Sequence, residues 1–193
     1  MQAAIERRGK ELLGAGLMVL AGLVVMMLAS YSPDDPSWFT ATDQPVQNLL
    51  GRMGASIAAP LYVIAGRGAW GIALTLGVWG VRLITHCGED RAISRSIFAP
   101  IGIAMMSVTA ATQVADAGWN QSFGLGGLFG DTVLGALLGV VPASGSVSLA
   151  MTALLLSILT IGMMLFVLGF DRAELSHICR RALYLAILGY DRL

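Results

Sequence analysis

Residues 12–30 and 97–115 each run 19 positions without a charge, and 147–170 runs 24. A helix that is apolar all round has no solvent face to offer, so it is either deeply buried or a membrane span. At 1.5 Å per residue, 19 residues cover roughly 28 Å, close to the hydrocarbon thickness of a bilayer. A further apolar stretch, 68–85, is bounded by Arg67 and carries Arg82 in its last turn. An arginine at mid-bilayer costs about 2.5–3.5 kcal/mol, but near a helix end it can extend to the headgroups, so this stretch also qualifies. The pattern predicts an all-α membrane protein with four transmembrane helices, at about 12–30, 68–85, 97–115 and 147–170.

Two shorter apolar segments, 53–66 and 132–142, follow polar loops at 31–52 and 116–131. They are too short to cross and suit interfacial or re-entrant helices. Re-entry requires that backbone groups be shielded by protein or water. Each half thus reads as a span, a polar loop, a short apolar segment and a span back, a weak internal repeat. The loops share a look: Asp34, Asp35 and Trp38 in one, Asp116 and Trp119 in the other. Residues 1–11 form a charged N-terminal segment and 12–170 the four-span domain. In the tail, 171–193, Arg172, Arg180, Arg181 and Arg192 lie among Leu175, Ile178, Leu183 and Ile187, which predicts an amphipathic helix on the membrane surface.

Basic residues stay preferentially in the cytoplasm. Arg7, Arg8 and Lys10, then Arg91 and Arg95 with Arg82 close by, then the four tail arginines all fall on one side of this arrangement. The two longer loops offer Arg52 and Arg67. Both termini are therefore expected in the cytoplasm, and the first apolar run, too long for a signal peptide, is expected to remain as a helix. Hydrophobic residues make up 56% and charged residues 12%, the formal net charge is zero, and mean hydropathy is +0.75. Nothing in that balance suggests nucleic-acid binding. Cys87 and Cys179 are too few for a disulfide framework and are expected reduced on the cytoplasmic side.

Catalytic motifs are missing: there is no phosphate loop, no H-E-x-x-H pair and no G-x-S-x-G elbow. Gly124, Gly126, Gly127 and Gly130 follow no strand, so they read as a turn into the short apolar segment. His86 with Cys87, and His177 with Cys179, could supply four zinc ligands, but neither pair has a usual chelate spacing. Asp34, Asp35 and Asp43 lack the alternating ligands of a calcium loop. No cofactor or metal is expected. Gln113, Thr109 and Ser157 are the most polar span residues, and such groups usually bond a neighbouring helix. Small residues recur at helical spacing in Ala69, Ala73 and Gly77, in Ser107, Ala111 and Ala115, and in Gly135 and Gly139. That spacing lets helices touch, within a chain or between copies.

The stretch Tyr31-Ser32-Pro33-Asp34-Asp35-Pro36-Ser37-Trp38 after the first span resembles the N-terminal membrane domain of FtsK/SpoIIIE-type bacterial DNA translocases. The likeness continues through Asn48 to Ala55, through Gly66-Arg67-Gly68-Ala69, and through Gly126-Gly127-Leu128-Phe129-Gly130. The resemblance implies a division protein of the inner membrane, anchored by four helices at the septum. It also implies contact with other division proteins, assembly as a hexamer, and a cytoplasmic ATPase that moves DNA. No motor is expected in these residues, so neither ATP hydrolysis nor direct nucleic-acid contact is carried over. The expected partners are the lipid bilayer, other division proteins and further copies of the chain. Candidate contact residues on the outer loops are Asp34, Asp35, Pro36, Trp38, Trp119, Gly126 and Gly127. A small transporter or channel subunit built from the two halves is the alternative, and a general assembly factor would look the same.

Overall fold

No proline or turn signal separates the charged N-terminal segment from the first apolar run, so both join one helix, α1 (Gln2–Ala29). A computed structural model describes residues 2–115, 117–140 and 146–190, and every regular element among them is helical. After a loop come α2 (Gly51–Ala65), a tight 3₁₀ turn (Gly66–Ala69) and α3 (Trp70–Thr85). A second 3₁₀ turn (Glu89–Arg91) leads into α4 (Ala92–Ser96) and α5 (Ala99–Ala111). A loop then precedes α6 (Gly127–Val140), α7 (Ser146–Val167) and α8 (Arg172–Tyr190).

Among the described residues, three helical stretches are long and apolar enough to cross a membrane: Ile5–Ala29, Gly51–Thr85 and Ser148–Val167. A fourth arises if Glu89–Ser96 and Ala99–Ala111, bent by 63° against each other, serve as one. Within the expected third span, about 97–115, the structure has a 13-residue α5, about 20 Å long. Pro100 accounts for the break. It lies in the first turn of α5, where its missing N–H costs nothing, and it prevents α4 from running on as one helix.

The helices pair antiparallel. Gly14 of α1 faces Gly80 of α3, and a Cβ on Gly14 would lie 2.7 Å from the Gly80 carbonyl oxygen. Further along, a Cβ on Gly77 would stand 3.8 Å from that of Ala21. Past this point Val24, Met27 and Leu28 of α1 form the core with Ala58 of α2, Ala69 and Ala73. Lipid tails are as apolar as these side chains, so close approach rather than water exclusion holds such helices together. In the second half α5 lies antiparallel to α7: a Cβ on Gly102 would meet Met164 and Val167. The Thr109 and Thr160 hydroxyls bond across that pair at 2.7 Å. The bundle therefore has a loop end, where α1 and α5 finish, and a tail end, where α3 and α7 finish.

Candidate functional site

At the loop end, the segment after α1 is closed by its own polar side chains. Asp35 is 2% exposed. One of its oxygens accepts the Gln47 N–H at 2.8 Å and the other accepts the Asn48 N–H at 3.0 Å. Asn48 donates its amide to the Met27 carbonyl at 2.9 Å and accepts the Leu50 N–H at 3.1 Å. Buried polar groups are tolerated when bonded in this way. On the frame so made, Trp38 is 82% exposed beside an exposed Phe39, with Asp34 also exposed. Tyr31 stacks on Tyr62 at 4.3 Å, and Trp119 of the second loop stands 6.4 Å from Tyr62 with the Arg67 guanidinium 5.8 Å from its ring.

Beneath these loops the two halves cross. Gly66 has φ +54° and Gly127 φ +68°, a region that L side chains rarely occupy. A Cβ on either would come within 2.5 Å of the other's backbone nitrogen. The Arg67 N–H donates to the Leu125 carbonyl at 2.8 Å and ties the halves together. Ser107 of α5 is fully buried at this point, and its hydroxyl donates to the Gly126 carbonyl. A Cβ on Gly68 would lie 2.7 Å from the Ser107 nitrogen. Only residues without side chains leave room for this crossing.

At the tail end Arg82 is the node. It is 6% exposed, and its guanidinium donates to the Glu174 carboxylate at 2.7 Å and to the Cys87 carbonyl at 3.0 Å. Its carbon lies 4.8 Å from the Phe170 ring centre. Trp79 donates to the Val167 carbonyl at 3.0 Å. The Arg82 guanidinium holds the Glu174 carboxyl below the usual carboxylate range. Arg91 reaches Glu174 at 3.3 Å. Arg82 thus fastens α3 to the start of α8, whereas the sequence pattern sent it to the headgroups. A second clamp joins α1 to the end of α3. His86 meets Glu89 at 2.8 Å and Glu11 at 3.2 Å, and Lys10 meets Glu89 at 2.8 Å. Hydrogen bonding to Glu89, then to Glu11, raises the His86 pKa.

Of the seven residues expected to meet a partner, Asp34 and Trp38 are exposed and Trp119 is half-buried. Asp35, Pro36, Gly126 and Gly127 are buried: the Asp35 carboxylate accepts two N–H groups and the two glycines lie at the crossing. Among the small residues, Ala69 and Ala73 lie in the core, Gly77 meets Ala21, and Ser107 and Ala111 meet the start of α6. Gly135 and Gly139 face open space and Ala115 is exposed. Thr109 bonds a neighbouring helix as expected, while Ser157 bonds the Ala153 carbonyl of its own helix. His86 is engaged by two carboxylates, Cys87 is exposed, and the Cys179 side chain lies outside the described residues. Gly14, Gly80, Asn48 and Glu174 were not singled out by the sequence pattern. Gly14 and Ala21, seven residues apart and facing Gly80 and Gly77, carried a readable small-residue spacing.

Residues 6–176 match the family described as "4TM region of DNA translocase FtsK/SpoIIIE". The chain is 32% identical over 162 residues to a protein named DNA translocase FtsK from Caulobacter vibrioides, covering 80% of this chain and 20% of that one. It is 36% identical over 141 residues to the protein of that name from Bradyrhizobium diazoefficiens, covering 70% and 16%. With the Mesorhizobium japonicum relative it shares 31% over 177 residues, covering 90% and 19%. The chain spans about a fifth of the length of these relatives. No solved structure matches it.

Proposed function

Because the chain belongs to the FtsK/SpoIIIE 4TM family, we propose that it anchors a DNA translocase in the bacterial inner membrane at the division septum, through contacts with other division proteins. It crosses four times, with the bent α4–α5 pair as the third crossing and both termini in the cytoplasm. The observation that carries this reading is the family match over residues 6–176. The distribution of charge supports the orientation: Arg7, Arg8, Lys10, Arg91, Arg95 and the α8 arginines sit at the tail end, and basic residues are retained in the cytoplasm. The domain performs no chemistry of its own. Its polar span groups are used in the fold, as Thr109, Thr160, Ser107 and Arg82 illustrate.

Partner contact falls on the exposed part of the loop end, Asp34 and Trp38 with the neighbouring Phe39. An aromatic pair raised on a hydrogen-bonded frame offers large contact area at low entropic cost. Self-association uses the open faces of α6 and α7, where Gly135, Gly139, Leu154 and Ile158 lie uncovered. A fluorescent fusion of the full chain in dividing cells tests the reading. Septal enrichment is expected, with Trp38→Ala and Phe39→Ala together leaving the protein membrane-bound but dispersed. Uniform membrane fluorescence from the unaltered chain would overturn the septal role.

A further inference from the structure

A groove of about 960 Å³ runs along α3 between α1 and the start of α8. Its wall is apolar, formed by Met18, Leu74, Val78 and Val81, with Ala73 and Gly77 among its lining. Its mouth, at the tail end, carries Arg82, His177 and Arg181 beside Glu174. From Trp70, which also lines it, to Arg82 the helix rises about 18 Å, close to the acyl depth of one leaflet. Two features of the mouth concern charge. Arg82 is more than nine-tenths buried, lines the groove, and leaves its Nε without a hydrogen-bond partner among the described residues. Arg181 is exposed and has no ion-pair partner among the described residues. With Glu174 the single carboxylate of the lining, two arginines leave the mouth net positive.

We propose that this groove binds one anionic phospholipid from the leaflet at the tail end, with an acyl chain against Leu74 and Val78 and the phosphate at Arg181 and Arg82. A partner helix would meet the same apolar wall, but it does not by itself account for positive charge confined to one end. An amphiphile with a negative headgroup complements both parts of the site, and basic pockets beside transmembrane helices bind such headgroups. The site is independent of which division proteins meet the loop end.

Native mass spectrometry of the full chain in detergent, with phosphatidylglycerol or phosphatidylcholine of identical acyl chains, reads the occupancy. Phosphatidylglycerol is expected to be retained about fivefold more than phosphatidylcholine, the factor for one unbalanced arginine. Arg181→Ala brings the two lipids near parity and Arg181→Lys keeps the preference. Val78→Trp, which fills the groove, removes the bound lipid, while Leu155→Trp on the exposed face of α7 does not. Equal retention of both lipids, or unchanged retention in Val78→Trp, would overturn the proposal. So would conversion of an oligomer to a monomer by Val78→Trp, since a second copy would then be the occupant.

Discussion

Single residues carry the fold at several points, and two of them give measurable expectations. Arg82 is buried with its charge met by Glu174, which is one-third exposed. Removing one partner of a buried pair strands the other, so Glu174→Ala should cost about 2 kcal/mol, less than a fully desolvated pair because water screens part of the contact. Denaturant or thermal unfolding of the purified chain reads this, and a change below 0.5 kcal/mol would contradict it. At the crossing, Gly66→Ala and Gly127→Ala combine a left-handed backbone with a backbone clash, and each should cost about 1–3 kcal/mol. Gly135→Ala, facing open space, should stay within about 0.5 kcal/mol. The sequence showed these glycines as a cluster but could not show their use. A glycine in a loop and a glycine under a crossing backbone look the same until the opposing chain is in place. Asp35 is similar: an acidic residue in a polar loop reads as solvated, and only the folded loop brings the Gln47 and Asn48 N–H groups to it.

At the scale of elements, the apolar runs foretold the helices but not their ends. Uninterrupted hydrophobicity marks a crossing yet carries no information on where a charged extension stops, and α1 takes in the N-terminal segment for that reason. Pro100 was visible, and its position nine residues after Arg91 was the clue that 97–115 would be shortened and bent. The clamp between α1 and the end of α3 makes a pH-dependent prediction. His86 has a folded-state pKa raised by Glu89 and Glu11 above its unfolded value near 6.5. Its stabilising effect is complete below that unfolded value and is lost as pH rises through the elevated folded value. The melting temperature of the chain in mild detergent should therefore fall between pH 6 and pH 9 by more than that of His86→Gln. Parallel curves for the two proteins would refute the role of this histidine.

For the whole molecule, the weak repeat read from the sequence corresponds to a physical arrangement: α1, α2 and α3 in one half, α5, α6 and α7 in the other, meeting where Arg67 bonds Leu125. What one sequence cannot show is how the halves face each other, because that depends on contacts between residues far apart in the chain. We propose four crossings with both ends inside the cell, a reading supported by the family membership and by the uneven distribution of arginines. Cysteine labelling is the most direct test of that claim. In a chain with Cys87 and Cys179 changed to serine, single cysteines replace Glu6, Trp38, Asp90, Gly118 or Arg180, and a membrane-impermeant maleimide is applied to intact spheroplasts. Positions 38 and 118 should label from outside, and positions 6, 90 and 180 only after permeabilisation. Labelling of position 6, 90 or 180 in intact cells, or protection of 38 or 118, would contradict the account.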